Sequence, residues 1–295
     1  MKRISLFWIF LLILALALAS CSGVNAPDIL TTSTILADVT QNIVGDRFSV
    51  GSLLPVGVDP HSYQPTPQDT AKISESKVLV INGAEYEAFL GSLIESADGE
   101  RPVIDASAGV RLLTDTQNGA GIDPHLWLDP NNVISYVENI REGLAQFDPQ
   151  NADAYESNAN AYIAELQELD AWINGQIVQI DPQRRLLITN HETLGYFADR
   201  YGFRVVGTVL ESSSSEASPS AEQMAALVEQ IKLYEAPAIF LDASDNPQLA
   251  QQIAAETGVK IVSDLHIESL TEGAPAPTYI DMMRDNVTKI IQALK

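Results

Sequence analysis

Two parallel-sheet α/β lobes joined by one long rigid helix are the fold class this sequence predicts, and three observations predict it. Short apolar, β-rich runs alternate with helical patterns, as in parallel α/β folds. Four strand candidates lie before residue 110 and four after residue 185. One long amphipathic stretch fills the gap between them.

The chain opens with Lys2 and Arg3 ahead of Leu6–Ala19, which is apolar throughout. That run is shorter than the ~20 residues of a membrane span and reads as the charged and hydrophobic parts of an export signal. Leu18-Ala19-Ser20-Cys21 resembles the lipobox of bacterial lipoproteins, in which the Cys thiol takes a diacylglycerol. Residues 1–20 are thus expected to be the signal peptide and Cys21 the lipidation site. Residues 21–27, small and turn-forming, are expected to be a tether. Cys21 is the sole cysteine, so its lipidation leaves no thiol for a disulfide, a nucleophile or a metal.

The first lobe, 28–147, is expected to hold strands Ile29–Thr32, Val50–Leu54, Val78–Ile81 and Pro102–Ile104. Its helices are expected at Ile35–Val44, Thr66–Ser74, Glu85–Ser96 and Val133–Phe147. The linking helix, 148–181, starts at Asp148-Pro149, an N-capping carboxylate before a proline whose missing N–H costs nothing in a first turn. Tyr155, Ala159, Tyr162, Leu166, Leu169, Ile173, Ile177 and Ile180 advance by threes and fours and keep one face apolar. Asp181-Pro182 stops a rod of about 45 Å. The alternative is an ordinary packed helix split near Gly175. A rod between lobes hinges less than paired strands, so ligand binding should produce modest closure. The second lobe, 182–295, is expected to carry strands Leu186–Thr189, Arg204–Val209, Ala238–Leu241 and Lys260–Val262. Its helices are Thr193–Tyr201, Ala221–Tyr234, Gln248–Thr257 and Thr278–Leu294.

Composition narrows function by exclusion. Against 39 Asp+Glu stand 17 Lys+Arg, a formal charge of −22, which disfavours a nucleic-acid binder because phosphate affinity comes from clustered cations. Hydrophobic residues make up 46%, enough for a sizeable core, so wholesale disorder is excluded. There is no Gly-x-Ser-x-Gly, Walker loop or His-Glu-x-x-His.

The histidines carry the chemistry. There are four, His61, His125, His191 and His266, and the first two sit in the same tripeptide, Asp59-Pro60-His61 and Asp123-Pro124-His125. Proline fixes the backbone before each imidazole, and a carboxylate two residues back is placed to orient a ring N–H, as around metal-bound histidines. His191 follows a strand through Asn190, at the sheet edge where open α/β folds bind ligands. Asp264 takes the equivalent place after Lys260–Val262. Three imidazoles and one carboxylate suit a closed tetrahedral site for a borderline divalent ion. His266 is a reserve ligand, and Asp242 competes with Asp264 for the carboxylate. Protons should compete with the ion below roughly pH 6.5, the free imidazole value.

Three segments are specific: Gly57-Val58-Asp59-Pro60-His61-Ser62-Tyr63-Gln64-Pro65-Thr66-Pro67, Asp123-Pro124-His125-Leu126-Trp127-Leu128-Asp129-Pro130, and His191-Glu192-Thr193-Leu194-Gly195-Tyr196-Phe197 with Arg200-Tyr201-Gly202. Together they resemble the zinc/manganese-specific solute-binding lipoproteins of bacterial ABC importers, the metal-binding cluster A-I type. The resemblance runs from about Asp28 to Lys295. It implies two α/β lobes bridged by a rigid helix, one metal between them, and ligands on His61, His125, His191 and Asp264, the choice over Asp242 resting mostly on the resemblance. It also implies an extracytoplasmic, lipid-anchored protein, expected as a monomer, that hands its ion to a transmembrane permease driven by an ATPase. Manganese-type members carry a carboxylate at the place of His191. Since Mn²⁺ prefers oxygen donors, the resemblance favours Zn²⁺, with Mn²⁺ the alternative. Many zinc-type members carry a His- and acid-rich loop before the second Asp-Pro-His, whereas Thr114–Ile122 has no His and one acid, Asp115. Tyr63, Trp127, Tyr196 and Phe197 are candidates to wall the site. Two other classes stay open on the residues alone. One is a metal-dependent hydrolase using Glu192 as base; the other is an adhesion or scaffold lipoprotein, which need not exclude metal binding.

Overall fold

The computed structural model describes residues 26–114, 121–210 and 219–295. The expected export signal and Cys21 lie outside the described residues, as do most of the expected tether and parts of the loops at 114–122 and 211–220. Among the described residues no helix is long and apolar enough to cross a membrane.

The described residues form two four-stranded sheets, both parallel. The first contains β1 (Ile29–Thr31), β2 (Val50–Ser52), β3 (Val78–Ile81) and β4 (Val103–Asp105) in the order β2-β1-β3-β4. The second contains β5 (Leu186–Thr189), β6 (Arg204–Thr208), β7 (Ala238–Asp242) and β8 (Lys260–Leu265) in the matching order β6-β5-β7-β8. Helices α1 (Thr34–Val44), α2 (Pro67–Glu75), α3 (Leu90–Ser96) and α4 (Pro130–Phe147) belong to the first half, and α5 (Ala152–Ile177) follows them. Helices α6 (Gly195–Tyr201), α7 (Ala221–Tyr234), α8 (Gln248–Thr257) and α9 (Tyr279–Leu294) complete the second. β1, β3, β5 and β7 read as near-continuous apolar runs because helices cover both faces of a parallel sheet.

Three of the boundaries that differ from the sequence expectation bear on the site. α3 begins only at Leu90, because Gly83, Ala84 and Glu85 have φ of +77°, +50° and +64°, which a right-handed helix cannot contain. The Glu87 carboxylate holds that turn by accepting the N–H groups of Asn82 at 2.6 Å and Gly83 at 3.1 Å. α5 is a 26-residue helix of about 39 Å rather than one spanning 148–181. Pro149–Asn151 forms a tighter turn before it, and after it the N–H groups of Gln179 and Ile180 reach back three residues instead of four. β8 continues three residues past the expected stop to Leu265.

The expected apolar stripe of α5 is buried from Tyr155 to Ile177. It packs along α1 and α4 of the first half and α9 of the second. One apolar core therefore runs through both halves, from Ile29 and Val80 past Trp127 and Leu166 to Phe240 and Met282. α5 has company in joining them, since the chain between β8 and α9 crosses onto the first lobe. Trp127 donates Nε1–H to the Ile267 carbonyl at 2.9 Å, Gly57 N–H to Ser269 Oγ at 2.9 Å, and Leu270 N–H to Thr34 Oγ1 at 2.9 Å. Tyr279 closes the seam, its hydroxyl donating to the Trp127 carbonyl at 2.7 Å.

Candidate metal centre

Each imidazole of interest lies beyond the carboxyl end of a strand: His61 after β2, His125 after β4 and His191 after β5. The His61 loop is pinned by Asp69, in the first turn of α2, whose carboxylate accepts from Thr66 N–H at 2.9 Å and from the Tyr63 hydroxyl at 2.7 Å. Asp59 accepts the backbone N–H of His61 at 2.8 Å. Asp123 does more, accepting both the backbone N–H of His125 at 3.0 Å and its Nδ1 at 2.7 Å. That leaves Nε2 of His125 facing inward. Asp129 ends the segment by capping α4 at Asn131 N–H, 2.9 Å away, with Pro130 in the first turn.

The three rings converge. His61 Nε2 and His125 Nε2 are 3.4 Å apart, and the ring centroids of His191 lie 5.0 Å from His61 and 5.6 Å from His125. The carboxylate among them belongs to Glu268, whose Oε1 lies 3.0 Å from His125 Nε2, 3.7 Å from His191 Nε2 and 4.0 Å from His61 Nε2. One ligand atom from each of the four residues lies within 4.8 Å of every other.

Asp264 does not join them. Because β8 runs to Leu265, Asp264 sits inside the strand with its side chain 65% exposed, paired to Lys289 Nζ at 2.9 Å on α9. The chain crosses to the first lobe only after His266, and Glu268 is then the acid beside the histidines. His266 is held by its backbone, its N–H on Asn286 Oδ1 at 2.8 Å and its carbonyl on Asn286 Nδ2 at 2.7 Å. Asp242 is buried next to the Glu268 backbone and outside the cluster of four. One signal for Glu268 existed in the sequence, an acid enclosed by Ile267 and Leu270.

Charge is unevenly shared in this largely buried cluster. Burial disfavours the cationic form of His125, yet the carboxylates of Glu268 and Asp123 outweigh it and raise its pKa to about 10. His61 goes the other way, to about 4, because burial and the neighbouring imidazoles exceed the pull of Glu268. Burial also opposes ionisation of Glu268, but His125 and its neighbours hold that carboxyl far below the usual range. Both ring nitrogens of His191 are buried without a hydrogen-bond partner. His61 is the most accessible of the four, its side chain 11% exposed toward a cleft of about 400 Å³ lined also by Tyr63, Glu85, Tyr86 and Phe89.

The aromatic residues divide between wall and frame. Trp127 lies edge-on to His125 with centroids 5.4 Å apart, and Tyr86, not singled out in the sequence, stands 6.4 Å from His61. Tyr196 supports the wall from behind, donating its hydroxyl to the Asp123 carbonyl at 3.1 Å. Tyr63 packs on Phe89, and Phe197 on Tyr201 and Phe203. A side chain at Gly195 would collide with the Asp123 carboxylate, which cannot turn away without releasing His125. Gly195→Ala is expected to cost about 1–3 kcal/mol of stability. Thermal melts of the metal-free variant check this.

Two α/β lobes with three converging imidazoles and a carboxylate, all but His61 buried, define a two-lobed metal-binding receptor. The profile of the zinc-uptake complex component A, periplasmic (ZnuA), matches residues 29–293. The chain belongs to this family, and it is a metal-binding substrate-binding protein of an ABC importer, not an enzyme, which removes the hydrolase alternative. Among its relatives is the manganese-binding lipoprotein MntA of Halalkalibacterium halodurans, 34% identical over all of this chain and 99% of that one. The manganese ABC transporter substrate-binding lipoprotein PsaA of Streptococcus pneumoniae is 31% identical, again over 100% of this chain and 99% of its own length. In structure the chain is similar to the periplasmic zinc-binding protein TroA of Treponema pallidum, with a TM-score of 0.83 at 28% identity over 92% of this chain and 99% of that one. It is also similar to the Mn-bound periplasmic metal-binding protein of Candidatus Liberibacter asiaticus, with a TM-score of 0.82 at 30% identity over 90% and 99%.

Proposed function

We propose that this protein captures Zn²⁺ outside the cytoplasmic membrane through His61, His125, His191 and Glu268 and releases it to the permease of its importer. The convergence of three imidazoles on one carboxylate oxygen carries the reading. Zinc bonds of 2.0–2.2 Å set ligand atoms roughly 3.4 Å apart in a tetrahedron. The spacings of 3.0, 3.4, 3.7 and 4.0 Å straddle that edge. Three nitrogens and one oxygen favour Zn²⁺ over Mn²⁺, which prefers oxygen donors. The lobes are assigned to 28–147 and 182–295 with 148–181 between them, and the receptor acts as a monomer, anchored by lipid on Cys21.

Metal content of protein purified without added metal, followed by direct competition, tests the assignment. Zn²⁺ is expected to displace Mn²⁺ at equal concentration. Retention of Mn²⁺ would instead align this chain with the manganese-named relatives MntA and PsaA.

A further inference from the structure

The turn after β7 links the two second-lobe members of the cluster. Asp242 ends that strand, 6% exposed, and its two carboxylate oxygens serve different segments. Oδ1 accepts Ser244 N–H at 2.8 Å and its hydroxyl at 2.6 Å, which folds the turn. Oδ2 accepts the N–H of Ile267 at 2.6 Å and of Glu268 at 3.2 Å. Asp245 continues the chain of bonds. Its Oδ2 accepts Asp242 N–H at 2.8 Å and its Oδ1 accepts Asn190 Nδ2 at 2.6 Å. Asn190 directly precedes His191.

The geometry has a reason. The β7–β8 register shifts between Phe240 and Asp242, and the last paired residues are Asp242 and Leu265. Beyond Leu265 the sheet offers no carbonyl to the N–H groups of Ile267 and Glu268, and a buried N–H needs an acceptor. A carboxylate supplies one with the added strength of a charge-assisted bond. Its second oxygen ties the same acceptor to the turn, so the backbone of Glu268 cannot shift without the turn that also grips Asn190.

We propose that Asp242 is the positioning residue of Glu268, and that Asp245 couples it to His191, so that the second-lobe half of the site is held as one unit. This rests on the metal-site reading above. It is tested with Zn²⁺ titrations, against a competing chelator, of the full chain carrying Asp242→Ala, Glu268→Ala and both together. Outer-shell partners of metal ligands are generally worth about 10–100-fold in affinity. Asp242→Ala should weaken Zn²⁺ binding by that factor in the native background, and by less than about threefold once Glu268 is alanine, since coupled residues are not additive. X-ray absorption of the zinc-loaded Asp242→Ala protein should show the carboxylate oxygen of the native protein replaced by a solvent oxygen, with loss of the carboxylate carbon from the next shell. Asp242→Asn keeps one acceptor oxygen for Ile267 and Glu268, and should recover part of the loss. It replaces alanine in the same cycle if Asp242→Ala does not fold. An equal loss in both backgrounds, or none in the native one, overturns the proposal while leaving the metal site standing. Unchanged Zn²⁺ binding in Glu268→Ala overturns the site reading and this inference with it.

Discussion

His61→Ala and His125→Ala are each expected to weaken Zn²⁺ binding by two to three orders of magnitude, and only the second should also destabilise the metal-free protein. Closed four-ligand zinc sites are worth about 10–16 kcal/mol, so one ligand of four accounts for about 3 kcal/mol, or roughly 100–1000-fold. The variants part company before metal arrives. His61 is neutral at pH 7, being held near pKa 4, and its side chain is 11% exposed toward an open cleft. Its removal breaks no ion pair. His125 is fully buried between Asp123 Oδ1 at 2.7 Å and Glu268 Oε1 at 3.0 Å, and carries the charge that both carboxylates face. Taking away one partner of a buried ion pair costs about 3 kcal/mol. Chelator-competition titrations and metal-free melts on the two variants separate the effects. Native-like zinc affinity in both would remove these imidazoles from the site, and equal melting temperatures would remove the charge from His125.

Much of this was legible in the residues because it is local. Apolar runs of strand length punctuated by helical patterns located all eight strands of the described residues, and Asp-Pro-His put two imidazoles in loops whose backbone proline restricts. The role expected of the carboxylate two residues back is visible at Asp123, which grips Nδ1 of its histidine. What was not legible depends on register and distance along the chain. Whether β8 stopped at Val262 or Leu265 decided whether Asp264 left the sheet, and that length is set by pairing with β7 across a bulge. The path that then carries Glu268 to the first lobe is made by Thr34, Gly57 and Trp127, more than a hundred residues away. No periodicity in Ile267-Glu268-Ser269-Leu270 announces those bonds. The left-handed Ala84 and Glu85 were hidden for a related reason. The Glu87 carboxylate and its partner Thr32, at 2.6 Å, hold a turn that helical propensity alone would have continued.

Zinc affinity is expected to rise about tenfold per pH unit between pH 6 and 9, with about one proton released per ion bound. The sequence placed proton competition below the free imidazole value near 6.5. The buried carboxylates move that window upward. With its pKa at about 10, His125 in the metal-free protein keeps its proton across the neutral range, and Nε2 must give it up to bind metal. His61, held near 4, has no proton to lose there. Folding of the metal-free chain responds with the opposite sign. A histidine whose pKa is raised by folding contributes stability that is complete below about 6.5 and is lost as pH climbs through about 10. Glu268, depressed by folding, contributes stability that is present above about 4.5 and is lost in acid. Between pH 7 and 10 the metal-free melting temperature should therefore fall while zinc affinity climbs. Calorimetric titrations in two buffers of different ionisation enthalpy count the proton, and melts over the same range give the second slope. A flat affinity from pH 7 to 9 with no proton released would mean that His125 is already neutral before metal binds. The 3.0 Å contact between His125 and Glu268 would then not be the ion pair that the metal displaces.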